Sequence, residues 1–162
     1  ASKATVPLKD TGFLLGDGLF ETIRFDNRKL FHPERHLERL HSGLKIIHIH
    51  PEISDEKILD LLTKIIRKNE LHSGLLRLMV TRGNVEGPPW KYVGAPSIYI
   101  NIRPLSPEPD LPVNVVYYPE EKYPIIRFTP AIKSLNYMGN MLAKKDADEA
   151  NAFEPVFYNR DG

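Results

Sequence analysis

Between Pro104 and Pro112 the chain reads Pro104-Leu105-Ser106-Pro107-Glu108-Pro109-Asp110-Leu111-Pro112, four prolines in nine residues. Proline locks φ and lacks an amide hydrogen, so this stretch enters neither a helix interior nor a central strand. A chain of 162 residues so interrupted is expected to fold in two parts, with residues 104–112 as the linker between them. Residues 1–103 then form a small N-terminal α/β domain. Residues 113–162 begin a second unit.

Before the linker, the periodicity changes twice. Leu19 to Phe25 is rich in β-branched and aromatic residues and is followed by the polar turn Asp26-Asn27-Arg28-Lys29 and by Leu30-Phe31, a hairpin pattern. Pro33 suits the first turn of a helix whose stripe is Leu37, Leu40 and Leu44. A second helix starts near Ser54, places Asp55 and Glu56 in its first turn, turns Ile58, Leu61, Leu62, Ile65 and Ile66 inward, and ends near Asn69. Strands follow at Leu75–Thr81 and Ser97–Arg103, separated by a Gly- and Pro-rich loop over Gly83–Pro96. The glycines of Gly16-Asp17-Gly18 do not make a dinucleotide loop, because the third glycine is missing and a strand follows instead of a helix.

After the linker, Val113–Tyr118 and Ile125–Phe128 read as short strands and Pro155–Tyr158 as another, with Asn159-Arg160-Asp161-Gly162 as a hairpin turn. A hairpin ending at its turn leaves backbone groups unpaired, so the chain is expected to be part of a longer protein. Between them, Ala131-Ile132-Lys133-Ser134 is an apolar approach to a helical pattern carrying Leu135, Met138, Met141, Leu142 and Ala150. Lys133 thus lies at a strand-to-helix junction. An amine held there among apolar neighbours can attack a carbonyl, whereas a solvated lysine lying on Ile132 is the structural alternative.

Composition removes several classes of function. Twenty-two basic and 21 acidic side chains leave a net charge of +1, which supplies no field for nucleic acid or an anionic membrane. Cysteine is absent, excluding disulfides, thiolate nucleophiles and Cys-ligated metals. The first residues lack the apolar core of a signal peptide and no run is long enough to span a bilayer, so a cytoplasmic location is expected. Of the histidines, His32 and His36 are four apart but enclose Pro33-Glu34-Arg35, and His48 and His50 alternate on a possible short strand; no metal site is expected.

Three blocks carry a family resemblance. Ile132-Lys133-Ser134-Leu135-Asn136-Tyr137, followed by Leu142-Ala143-Lys144 and Glu154-Pro155-Val156-Phe157-Tyr158-Asn159, resembles the lysine region of the class IV (fold type IV) pyridoxal-phosphate aminotransferases. Gly16-Asp17-Gly18-Leu19-Phe20-Glu21-Thr22-Ile23-Arg24 resembles that family's N-terminal strand, and His36-Leu37-Glu38-Arg39-Leu40 its first helix. The family includes branched-chain and D-amino-acid aminotransferases and aminodeoxychorismate lyase.

The resemblance implies an α/β (α+β) fold: a small two-layer domain followed by the first part of a larger, β-barrel-like domain. It implies pyridoxal 5′-phosphate as cofactor, Lys133 as its Schiff-base lysine and proton shuttle, and Arg39 as a contact to the cofactor phosphate. Asn136 and Tyr137 match cofactor-contacting positions, Tyr137 only with a gap. Phe20 matches an aromatic of the substrate pocket, and Arg77 the arginine of the Tyr-X-Arg that branched-chain enzymes use in substrate recognition, although Leu75 stands in place of the tyrosine. The loop Asn84-Val85-Glu86-Gly87-Pro88-Pro89-Trp90 lacks the Arg-X-His of D-amino-acid enzymes, which favours branched-chain-type L-amino acids. The Lys-X-Leu-Asn spacing, by contrast, resembles the D-amino-acid and lyase branches, and Thr22 leaves the subgroup open. A glutamate for the pyridine nitrogen is expected downstream of Gly162, and relatives form homodimers. The substrates implied are amino acids and 2-keto acids. Aminodeoxychorismate lyase, which eliminates pyruvate, is the alternative within enzymes; a cofactor-free α/β binding module is the alternative outside them.

Overall fold

The computed structural model describes residues 4–91, 95–107, 109 and 111–162. Tyr92 to Gly94 of the Gly- and Pro-rich loop, and Glu108 and Asp110 of the linker, lie outside the described residues. The chain divides into two compact units: Ala1–Ser106 with Phe128–Leu135, and Pro107–Arg127 with Asn136–Gly162. The segment around Lys133, assigned to the second domain from sequence, therefore belongs to the first unit.

The first unit is an antiparallel sheet of order β2-β1-β3-β4, formed by β1 (Gly18–Asp26), β2 (Lys29–Leu30), β3 (Gly74–Thr81) and β4 (Ser97–Pro104). Asn27 and Arg28 have φ of 47° and 61°, the paired positive values of a turn whose twist matches the strands it joins. A short helix α1 (Thr11–Leu15), not evident from the sequence, precedes β1. Its N-cap Asp10 is buried and accepts hydrogen bonds from the Gly12 amide, the Thr81 hydroxyl and the Tyr99 phenol, each at 2.8 Å. Burial first, and the Asp10 carboxylate with it, push the Tyr99 phenol up from its ordinary value, against a smaller opposing effect of Ser97.

Helices α2 (Pro33–Ile46) and α3 (Asp55–Lys68) bring their apolar stripes to one face of this sheet. Ser54 caps α3 by accepting from the Lys57 amide. Because strand side chains alternate, Leu19, Ile23 and Phe25 of β1 and Leu76, Leu78 and Val80 of β3 share the helix face. They form one buried cluster with Leu37, Leu40, Leu44, Ile58, Leu62 and Ile66. Each such side chain contributes about 1.5–3 kcal/mol by leaving water. His48 and His50 do not form a strand: they follow α2 in a turn, with His48 at φ 55°.

The second unit contains β5 (Val115–Pro119), α4 (Met138–Glu149) and β6 (Glu154–Tyr158), and its strands pair in parallel. Tyr123 donates to Asp146 at 2.6 Å and stacks edge-on against Tyr118 and Phe157. Ile125–Phe128 is not a strand. Pro124 and Pro130 flank it, and it makes no ladder with another described strand. The buried face of α4 also differs from the expected stripe: Met138 and Met141 are 72% and 63% exposed, whereas Gly139, Ala143 and Ala147 are buried. Small residues four apart let this helix approach its neighbours closely, and a Cβ on Gly139 would lie 2.6 Å from the Pro124 carbonyl oxygen.

No described helix is long and apolar enough to cross a membrane. Among the described residues no group of three or more His, Asp or Glu is placed to hold a metal ion.

Candidate active site

Adjacent residues of β1, Phe20 and Glu21, point to opposite faces of the sheet, and the candidate residues of the first unit gather around them. On the helix face Glu21 is 1% exposed. One turn apart on α2, His36 and Arg39 reach the same carboxylate. Arg39 donates through Nε to Oε1 at 2.6 Å and through Nη2 to Oε2 at 2.5 Å, and His36 Nδ1 lies 2.7 Å from Oε2. Hydrogen bonding to Glu21 raises the Arg39 pKa above its already high value, so the guanidinium remains charged. Half of the Arg39 side chain is exposed, and Nη1 stays outside the pair.

On the other face, Phe20 is almost fully covered although it lies away from the main core. Two cations cover it: Arg77 Cζ is 4.7 Å and Lys133 Nζ 4.6 Å from the ring centroid. Arg77 comes from β3, where Thr22 is its cross-strand partner, so it sits diagonally to Phe20 on the same face. Lys133 comes from the strip at 132–135, which lies along the outer edge of β1. Phe20 N donates to Lys133 O at 2.9 Å, Leu135 N donates to Gly18 O at 3.0 Å, and Ser134 bridges Leu19. Alternation sends Ile132 to the helix side, where it packs on the core beside Gly43, and Lys133 to the open side. A backbone bridge to β1, not a full strand, thus positions the lysine.

The cation–ring contacts are worth about 0.5–2 kcal/mol each. They hold a primary amine and a guanidinium together: the two groups are separated by no more than the sum of their distances to the shared ring. Beyond Arg77 a cavity of about 320 Å³ is lined by Thr22, Leu75, Arg77, Met79, Asn101 and Arg103. A larger cavity of about 820 Å³ belongs to the second unit, between Tyr117, Arg127 and Phe157, and holds none of the six candidate residues. Asn136 and Tyr137 also belong to the second unit, immediately before α4, with Tyr137 at its N-cap.

Of the six candidates, Phe20, Arg77 and Lys133 are brought together on the open face of the sheet, whereas Arg39 lies with Glu21 on the helix face, one position along β1. Sequence reasoning missed Glu21, which alternation alone would have turned inward with Leu19 and Ile23. It also missed Asn101 and Arg103, which alternate with Ile98, Ile100 and Ile102 in a strand read only as structural.

The class IV amino-transferase family model matches residues 18–162. The chain is 31% identical over 161 residues to a Methanocaldococcus jannaschii protein provisionally named a branched-chain-amino-acid aminotransferase, covering 98% of this chain and 56% of that one. It is 32% identical over 160 residues to a Listeria monocytogenes D-alanine aminotransferase, covering 96% and 55%. A Legionella pneumophila structure provisionally named a 4-amino-4-deoxychorismate lyase superposes with a TM-score of 0.84 at 24% identity, covering 98% of this chain and 58% of that one. The chain thus spans just over half the length of the curated relatives it matches. Its mixed α/β architecture is that of the N-terminal part of the fold type IV enzymes. On the match over residues 18–162, this chain belongs to the class IV aminotransferase family.

Proposed function

We propose that the protein to which this chain belongs transfers an amino group between an amino acid and a 2-keto acid, with pyridoxal phosphate, the cofactor of class IV aminotransferases, held in part by Lys133 and Arg39. The observation that carries the reading is the placement of the Lys133 amine on the Phe20 ring beside Arg77, fixed by two backbone hydrogen bonds to β1.

The chemistry of the two side chains suits the cofactor's two reactive ends. A half-buried primary amine suits an aldehyde, and a half-exposed guanidinium with Nη1 outside the Glu21 pair suits a phosphate. When bound, the cofactor supplies an aldehyde that condenses with amines and a ring that withdraws electrons from the substrate Cα–H bond. This chain's residues do the rest. Lys133 Nζ would take up the proton from the substrate Cα and later give it back, as general base and then acid. Arg39 anchors the phosphate, held in one orientation by Glu21. Asn136 and Tyr137 are proposed as further cofactor contacts. Phe20 walls the substrate pocket, and Arg77 binds a substrate carboxylate.

Among donors, branched-chain-type L-amino acids are favoured, because Leu75 and Met79 make the floor beside Arg77 apolar. The alternative, lyase chemistry on aminodeoxychorismate, would use the same lysine. A homodimer is proposed for the intact protein. The full-length protein should transfer the amino group of L-leucine to 2-oxoglutarate faster than that of D-alanine, and release no pyruvate from aminodeoxychorismate. Borohydride reduction of the loaded protein should attach the cofactor to the peptide containing Lys133. Pyruvate release without transfer selects the lyase; an unlabelled Lys133 removes the proposal altogether.

A further inference from the structure

Gly16-Asp17-Gly18, which makes no dinucleotide loop, has another use in this fold. Gly16 closes α1 in the left-handed region at φ 69°, and Gly18 opens β1. Between them, Asp17 receives the fork of Arg82, the residue that follows β3. Nε donates to Oδ2 at 2.7 Å and Nη2 to Oδ1 at 3.0 Å, and the Arg82 amide donates to the Asp17 carbonyl at 3.2 Å. The two side chains are 20% and 23% exposed, so the pair is shielded well beyond a surface ion pair and its geometry is bidentate. The same guanidinium also closes the end of α2. Nη2 donates to the Ile47 carbonyl at 2.8 Å and Nη1 to the His48 carbonyl at 3.0 Å. Ile47 is the C-cap of α2, where carbonyls have no partner within the helix and a cation is favoured.

Both places that Arg82 joins carry the strip that bears Lys133. At the start of β1, Gly18 is the neighbour of Asp17; its carbonyl accepts from Leu135 N, and a Cβ on it would lie 2.8 Å from Leu135 Cδ1. On α2, Gly43 stands one turn before Ile47 and accepts its amide, and a Cβ on Gly43 would lie 3.3 Å from Ile132 Cγ2. Lys133 therefore sits between an anchor on the start of β1 and an anchor on the last turns of α2. A shift of either one carries the lysine backbone with it.

We propose that Asp17 and Arg82 are positioning residues for Lys133: their pair ties the start of β1 to the end of α2 and so holds the strip whose amine stands over the Phe20 ring. Both act through Gly18 and Gly43 and not on the substrate. With four of its five N–H groups committed to Asp17, Ile47 and His48, Arg82 serves as a tie between elements. The inference rests on the aminotransferase reading and adds to it two residues outside the substrate pocket.

The test uses the full-length protein and two variants: Asp17→Asn, which keeps the shape and removes the charge, and Arg82→Lys, which keeps the charge and removes the fork. In both, amide hydrogen exchange at Leu135 should quicken by about tenfold, the loss expected of one charge-assisted pair. Leu76 and Leu78 in the middle of β3 should stay within about threefold of the unsubstituted protein. With the cofactor loaded, kcat for amino transfer should fall by about 10–100-fold, the range for a displaced reacting group, with KM changed by less than about threefold. Deuterium at the donor Cα should then slow the variants more than the unsubstituted protein, because Lys133 moves that proton. A role in stability alone would lower the melting temperature and leave the isotope effect as it was. An unchanged isotope effect, unchanged exchange at Leu135, or equal acceleration at Leu76 would each overturn the inference. If no donor is transaminated and Lys133 stays unlabelled, the functional reading fails, and exchange at Leu135 still decides whether the pair holds the strip.

Discussion

A buried carboxylate with two basic partners is the most consequential single residue of the candidate site. Glu21 is 1% exposed and is served by Arg39 through two nitrogens and by His36 through Nδ1. Replacing Glu21 by Gln keeps one acceptor but sets an NH₂ against those donors and leaves Arg39 without its counter-charge. Unsatisfied buried groups cost about 1–3 kcal/mol. Arg39 is half exposed and water recovers part of its loss, so E21Q should destabilise the protein by roughly 1–2 kcal/mol, read as a lower urea midpoint. An unchanged midpoint would show that the network carries no stability. Part of this site was legible beforehand: Phe20, Arg39, Arg77 and Lys133 stand in recognisable blocks. Glu21 stands in one of those blocks and alternation turns it inward with Leu19 and Ile23, but its role escaped notice because only the packing of α2 against β1 shows that it meets His36 and Arg39.

Elements show where periodicity succeeds and where it fails. The stripes of α2 and α3 and the alternation in β1, β3 and β4 mark the core because each uses large aliphatic residues on its buried face. Helix α4 misleads for the opposite reason: its large residues Met138 and Met141 face out, and its contact face is Gly139, Ala143 and Ala147. Close packing of this kind makes a sharp prediction. Alanine is the better helix former by about 1 kcal/mol, yet Gly139→Ala places a Cβ 2.6 Å from the Pro124 carbonyl oxygen, which is backbone and cannot step aside. G139A should therefore lower stability by about 1–3 kcal/mol, as overpacking does. Gly43→Ala on α2 should cost less, because its Cβ meets the end of the Leu19 side chain at 2.5 Å, which can rotate. Thermal melts of the two variants check the order; G43A melting lower than G139A would contradict it. The short α1 escaped notice because its five residues carry no repeat, and its anchor is Asp10 bonding to Thr81 and Tyr99.

At the scale of the whole chain, the two units differ in what holds them. The first buries thirteen large apolar side chains in one cluster and pairs β1 with β3 over eight residues. The buried apolar side chains described in the second are Tyr123, Ala143, Ala147 and Ala152, and its strands pair over five residues. Alanines gain little from leaving water, so local opening should be easier in the second unit. The chain leaves the first unit after Ser106, returns for Phe128–Leu135 and leaves again, so Lys133 sits on the firmer unit while both of its chain connections run to the softer one. What keeps the lysine in place is then the backbone bridge to β1 and the packing of Ile132 beside Gly43. Hydrogen exchange followed by mass spectrometry should rank the amides of β1 and β3 slowest and those of β5 and β6 fastest, with Phe20 and Leu135 among the protected ones. Ile132→Ala removes the anchor on the core side and should speed exchange at Phe20 and Leu135 while leaving β3 unchanged. Uniform acceleration across the sheet would mean that Ile132 supports the whole unit and not the lysine strip. No acceleration at either amide would mean that the hydrogen bonds to β1 suffice to hold Lys133 on the Phe20 ring.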